Sequence, residues 1–245
     1  MRNFLHTCAV IITSIPLGLF ILFIGFCNLF VRHKQYEKDS GFYRFLLNAL
    51  TGWLLWYVGA KIHVEGRELV PKNERFVLVS NHVSNFDPLI TWYVFRKQRM
   101  SFVSKSSNFK IPLVGKLIRR CCFLEIDRDN PRNAIKTIDT AARLIQKDEV
   151  SIGVYPEGTR AKDGVMLPFH NSVFKIAQKA NAPLVVCSLS GVNRIHERAP
   201  WKITHVYLRV IEVMDKEAVK TMRTAEIGER VREEIQKSLE STEEK

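Results

Sequence analysis

The 245-residue chain lacks the features that mark several common classes of protein. Its five cysteines, Cys8, Cys27, Cys121, Cys122 and Cys187, include no CxxC pair, which argues against a zinc site, and they are too sparse for a secreted disulfide scaffold. A reducing compartment is the simpler setting. No Asn-x-Ser/Thr acceptor occurs, which agrees with that setting. There is no internal repeat, no Gly/Ser-rich linker and no GxSxG elbow of the kind that carries a serine nucleophile. No Lys, Arg, Asp or Glu lies between Asn3 and Val31, and no acid lies between Arg96 and Arg120.

What the chain does have is an excess of cations. Lys and Arg number 37 against 25 acids, a net charge of +12, in an otherwise ordinary mixture of 46% apolar and 25% charged residues. That mixture excludes collagen-like and disordered classes. The excess asks for a phosphate-bearing partner: nucleic acid, an anionic membrane surface or a phosphorylated substrate. Glu226 to Lys245 is net −3, so the rest of the chain carries +15. Eight cations and no acids fall between Arg96 and Arg120, interleaved with Phe102, Phe109, Ile111, Leu113 and Leu117. This stretch reads either as a membrane-facing basic surface or as an ordinary solvated helix face. Nucleic acid is disfavoured, because no recognised nucleic-acid-binding motif is present and a long apolar N-terminal run is foreign to such modules.

That run, CAVIITSIPLGLFILFIGFCNLFV, is apolar enough for a bilayer interior. The uncharged stretch as a single helix would be about 43 Å long, more than the ~30 Å hydrocarbon core, but Pro16 and Gly18 divide it into two halves. A kinked span and a re-entrant hairpin both stand. The missing small-x-small site and the single leading Arg2 argue against a cleaved signal peptide. Arg32, His33, Lys34 and Lys38 follow the run and would put the next domain on the cytoplasmic side if the run spans. Phe42 to Ala60 is apolar apart from a stripe through Arg44, Asn48 and Thr51 at helical spacing. With Trp53, Trp56 and Tyr57 at one end it reads as an interfacial helix, or else as the first buried helix of the globular domain.

The spacing predicts strands at Lys61–Val64, Phe76–Ser80, Ser101–Ser104, Cys122–Ile126, Ser151–Tyr155, Leu184–Leu189 and Val206–Val213. Helices are predicted at Pro88–Arg96, Pro131–Gln146, Ser172–Ala180 and Ala225–Leu239. The alternation argues an α/β class, with a largely parallel or mixed sheet flanked by helices and an N-terminal membrane-associated helical hairpin. Two domains follow: 1–60, membrane-embedded or interfacial, and 61–245, catalytic.

Three turns follow predicted strands. In FVLVSNHVSNFDP, His82 lies in the loop, and Asp87 precedes Pro88 as an N-cap would. The two side chains meet only if the loop curls back, in which case the carboxylate would hold Nδ1 and leave Nε2 as a general base. The bland alternative is a helix cap beside a surface histidine. In SIGVYPEGTR, Gly158 lets backbone approach a ligand, Arg160 offers a planar fork for phosphate and Glu157 could orient it; the bland alternative is a surface turn with a local ion pair. Arg128 ends FLEIDR, and Lys105 ends a fourth strand. In a parallel sheet all these residues would gather at one edge.

These blocks are similar to those of the glycerolipid acyltransferase superfamily. NHVSNFDP resembles its NHxSxxD block, FLEIDR its block ending in Arg, YPEGTR its FPEGTR block, and APLVVCSLSG its fourth, Pro-containing block, in the family's order over Asn81 to Gly191. The whole-chain layout looks most like that of the bacterial 1-acyl-sn-glycerol-3-phosphate acyltransferases. The resemblance implies an O-acyltransferase of phospholipid biosynthesis with His82 as general base and Asp87 as its partner. Arg128, Glu157, Gly158, Thr159 and Arg160 would bind the phosphate end of the acceptor, assisted by Lys105. The implied partners are lysophosphatidic acid, acyl-CoA or acyl carrier protein as acyl donor, and an anionic membrane surface, with no metal and no cofactor. Glycerol 3-phosphate or another lysolipid is the alternative acceptor; a lipid-binding protein and a Ser84-based hydrolase are the remaining alternatives. Two departures stand out: Tyr155 where Phe is usual, and FHNS (Phe169 to Ser172) where the family often has Phe-Lys-x-Gly.

Overall fold

A computed structural model describes residues 2–127, 130–161, 165–199 and 202–243. Helices α1 (Arg2–Leu29) and α2 (Gly41–Tyr57) come first, followed by strand β1 (Ala60–Glu65), β2 (Val77–Ser80), α3 (Asp87–Val94), β3 (Met100–Lys105), α4 (Val114–Arg120), β4 (Leu124–Ile126) and α5 (Pro131–Gln146). After these come β5 (Ser151–Val154), α6 (Lys175–Ala180), β6 (Leu184–Ser190), α7 (Ile195–Arg198), β7 (Thr204–Met214), α8 (Lys216–Thr221) and α9 (Thr224–Glu243).

The seven strands form one sheet in the order β1-β7-β6-β2-β5-β3-β4. β6, β2, β5, β3 and β4 pair in parallel, β7 runs antiparallel to β6, and β1 runs parallel to β7. The expected α/β class with a mostly parallel mixed sheet is what the chain forms. Period-two alternation explains how the sheet is covered on both faces. Phe76 and Leu78 face one core with α2 and α3, whereas Val77 and Val79 face the other with α5, α6 and α9. In α9, Ile227, Val231 and Ile235 recur every four residues and are fully buried.

Among the boundaries that differ from expectation, two starts have a visible local form. The strand expected from Cys122 starts only at Leu124, because Cys122 takes a left-handed φ of 60° in the turn that closes α4. The helix expected from Ser172 opens as a 3-10 turn, Asn171–Phe174, before α6. α4, α7 and α8 were not anticipated; at seven, four and six residues they are too short to show a period.

Among the described residues no helix is long and apolar enough to cross a membrane. Part of the apolar surface of α1 is used against the protein itself: Ile24, Cys27 and Asn28 are buried, and the Asn28 side-chain amide donates to Leu113 O at 2.8 Å. Lys116 Nζ donates to Asn28 O at 2.8 Å near the end of α1, where a cation complements the helix dipole. Other α1 and α2 positions stay open, among them Ile15, Leu22, Phe26, Leu29 and Phe45. The Arg44–Thr51 stripe of α2 faces inward. Arg44 forms a two-pronged pair with Asp39 at 2.7 and 2.8 Å, donates to Met100 O at 2.9 Å and lies over the Trp92 ring, which binds α2 to β3 and α3. The basic stretch is likewise partly occupied: Arg120 stacks over Tyr36 and Tyr43, and Arg119 lies over Phe109 and pairs with Glu125.

Candidate active site

β2 and β5 are neighbours in the sheet, yet β2 leads into α3 on one face and the chain leaves β5 toward α6 on the other. Adjacent parallel strands whose connections depart to opposite faces open a crevice beyond their carboxyl ends. The loop Asn81–Phe86 and the turn Tyr155–Arg160 both issue there.

The first loop does curl back. His82 Nδ1 lies 2.8 Å from Asp87 Oδ2, and the backbone N–H groups of Val83 and Ser84 each donate to that same oxygen at 2.7 Å. Asp87 is therefore not an N-cap: it is the first residue of α3, and its carboxylate reaches backward to the loop. Asp87 is fully buried, while the His82 side chain is 17% exposed, so one edge of the imidazole faces solvent. A carboxylate that accepts from Nδ1 keeps the ring proton there and leaves Nε2 with a lone pair.

Glu157 is buried and turns inward. One of its oxygens accepts from His82 N at 2.6 Å and the other from Leu167 N at 2.9 Å. Burial pushes its carboxyl above the ordinary range, against the pull of those two donors. Ala161 N donates to His82 O at 2.8 Å, so the turn and the loop are tied at two points and Arg160 sits beside the histidine backbone. Gly158, at φ 69°, makes the left-handed step that Gly takes without strain. Thr159 and Arg160 are exposed and have no hydrogen-bond partner among the described residues. Lys105 ends β3, beside β5, and is also exposed. Arg128 lies outside the described residues.

Asn81, buried next to His82, exchanges two hydrogen bonds with the backbone of Leu189, at 2.9 and 2.8 Å, and so joins the loop to the end of β6. Nothing in the sequence assigned it that task. The hydroxyl of Ser84 lies 3.4 Å from His196 Nε2 on α7 and accepts from Phe86 N, whereas its amide serves Asp87. His196 was likewise missed, and its only signal was its place soon after the fourth block. Tyr155 stacks on the His82 ring with centroids 4.5 Å apart, and its hydroxyl meets Thr91 Oγ1 at 3.1 Å. Burial, aided by the nearby Asp87, pushes the Tyr155 hydroxyl well above its ordinary range. Burial also raises the thiols of Cys121 and Cys187, and Cys122 is pushed up to about 12, which removes all three as nucleophiles.

The model of the family described as Acyltransferase matches residues 61–190, just over half of the chain. The chain belongs to the acyltransferase family. It is 30% identical over 161 residues to the 1-acyl-sn-glycerol-3-phosphate acyltransferase of Limnanthes douglasii, covering 66% of this chain and 56% of that one. It is 33% identical over 182 residues to the enzyme of the same name from Cocos nucifera, covering 71% and 58%. The chain thus spans little more than half the length of these two plant relatives. Among solved structures it is similar in fold to the 1-acyl-sn-glycerophosphate acyltransferase PlsC of Thermotoga maritima. That similarity has a TM-score of 0.70 and 24% identity, covering 100% of this chain and 97% of that one.

Proposed function

We propose that this acyltransferase moves an acyl chain from a thioester donor, acyl-CoA or acyl carrier protein, to the free hydroxyl of 1-acyl-sn-glycerol 3-phosphate, giving phosphatidic acid. The observation that carries the reading is the 2.8 Å contact between His82 Nδ1 and Asp87 Oδ2 at the carboxyl edge of a parallel sheet. Nε2 takes the proton of the acceptor hydroxyl as its oxygen attacks the thioester carbonyl. The departing thiolate then receives that proton. Because the thioester is already activated, no acyl-enzyme is needed, and base catalysis of this kind contributes about 10²- to 10⁴-fold.

Arg160 and Lys105, exposed at that edge without ion-pair partners among the described residues, hold the acceptor phosphate, with Arg128 as a third cation. Glu157 acts differently from those three: with both oxygens engaged by backbone amides, it fixes the His82 backbone. Residues 61–245 form the catalytic part. Residues 1–60 rest on an anionic membrane surface through the open apolar positions of α1 and α2, with the cations around their connecting segment near the headgroups.

The test is thiol release from oleoyl-CoA by the purified chain in detergent, with and without lysophosphatidic acid. Release that needs the acceptor and falls at least 10²-fold in a folded His82→Ala variant supports the reading. Release without acceptor would indicate a hydrolase, and binding without turnover a lipid-binding protein. An acceptor panel with glycerol 3-phosphate and other lysolipids separates members of the superfamily.

A further inference from the structure

An imidazole held at one nitrogen is not yet held in plane. The Asp87 contact fixes where Nδ1 lies, but the ring can still tilt about that contact and carry Nε2 away from a hydroxyl it must meet. One face of the ring is closed by Tyr155, at 4.5 Å between centroids and 25° between planes. Tyr155 in turn lies nearly parallel to Phe102, at 6.1 Å and 5°. Phe102 packs on Phe123, which packs on Trp92, each pair at 5.5 Å. A series of rings thus leads from the interior to the histidine, and its inner members Trp92 and Phe102 are buried at 2% exposure each.

Two further details support the stack. Phe102 and Gly153 are register partners on β3 and β5, and a Cβ at Gly153 would overlap the Phe102 ring, so this glycine makes the space in which the ring lies. The Tyr155 hydroxyl meets Thr91, one turn along α3 from Asp87. The group that holds the imidazole nitrogen and the group that anchors its stacking partner therefore sit on the same helix.

We propose that Tyr155 is a positioning residue for His82. Its ring, backed by Phe102 in the space left by Gly153, sets the imidazole plane, and its hydroxyl ties that ring to α3 through Thr91. The proposal rests on the reading of His82 as general base. It also gives the departure from Phe at this position a physical meaning: Phe would keep the stack and lose only the tie.

The experiment uses the full chain and compares Tyr155→Phe, Tyr155→Leu and Phe102→Leu with wild type, with His82→Ala as the control for the underlying reading. In folded Tyr155→Leu, kcat falls about 10- to 10²-fold while KM for lysophosphatidic acid stays within about 2-fold, because the loss is one of alignment rather than acceptor binding. Phe102→Leu gives a smaller loss with the same split, and Tyr155→Phe stays within about 3-fold of wild type.

A second readout does not depend on activity. In proton–carbon NMR of histidine-labelled chain, with His82 assigned by its absence in His82→Ala, the His82 ring protons are displaced upfield by the Tyr155 ring current, and Tyr155→Leu abolishes the displacement. Unshifted His82 protons in wild type overturn the proposal without any variant having to fold. So does folded Tyr155→Leu at full kcat, or a loss confined to KM. Full activity in His82→Ala would instead overturn the reading of the base while the NMR arm still judges the stack.

Discussion

The backbone amide of His82 and the carboxylate of Glu157 meet at 2.6 Å, joining the end of β2 to the end of β5 across the crevice where the two strands part company. The other Glu157 oxygen holds Leu167, so one buried side chain spans three segments. Glu157→Gln offers one acceptor where two donors wait and sets an N–H against the other. We expect it to lower stability by about 1–3 kcal/mol, read as a drop in the urea midpoint, and to lower turnover with it.

The pH dependence of that loss has a definite sign. Burial raises the folded-state pKa of Glu157 above its ordinary 4.5, so its stabilising contribution is complete below that value and is lost as pH rises through the folded pKa. The gap in unfolding free energy between wild type and Glu157→Gln should be widest at acid pH and narrow above it. A gap that widens with rising pH would contradict the assignment.

Asp87 Oδ2 collects three donors, from His82, Val83 and Ser84. Asp87→Asn can keep its oxygen on only some of them and frees the imidazole to take the other tautomer. Turnover should drop about 10²-fold or more, with a smaller cost of about 1–3 kcal/mol in stability from the amides left short. Unchanged turnover in a folded variant would argue against any role for the pair.

Arg160 and Lys105 are exposed and without described partners, so neither holds the fold together. Arg160→Ala and Lys105→Ala should leave stability within about 0.5 kcal/mol while raising KM for the acceptor about 10-fold or more. Arg160→Lys should rescue only in part, because a point charge cannot copy a planar fork.

Arg44 is the opposite case, a cation whose work is structural. Its side chain is 8% exposed and pairs with Asp39 at 6%. Arg44→Met leaves a buried carboxylate unpaired and should cost about 3–5 kcal/mol, whereas the double variant with Asp39→Leu should recover much of that in thermal or urea unfolding.

Thiol reagents offer a simple check on the cysteines. Cys27, Cys121, Cys122 and Cys187 are buried, and only Cys8 is partly open. Mass spectrometry of native chain treated with iodoacetamide should find label at Cys8 before any other position, with turnover unaffected.

The sheet was legible because its strands are short apolar runs between turn residues, and the edge of the sheet was legible because parallel strands put their trailing residues on one side. His82 and Asp87 could be named from spacing, but not the way they meet. Pro88 after Asp87 suggests a cap, and only the three donors crowding one oxygen show why the loop closes backward instead. Glu157 carried no sign that it faces inward, since a carboxylate beside an arginine in sequence reads as its ion-pair partner. The Arg44–Thr51 stripe of α2 left an interfacial helix and a buried first helix both open, because nothing within the helix says where Arg44 finds its partner. Asp39, which draws Arg44 into the core, lies in the preceding segment, where helical period says nothing.

Asn81, His82 and Ala161 are loop residues by geometry, yet Asn81 bonds to Leu189 on β6, His82 N to Glu157, and Ala161 N to His82 O. Opening the loop therefore means parting β2 from β5 and β6. The His82 and Ala161 amides should exchange their hydrogens at the pace of the central sheet, through global unfolding and not through local breathing. A loop with the exchange kinetics of a core strand, if it holds the proposed base, would meet substrates already set, and the motion that admits them would belong to another part of the molecule.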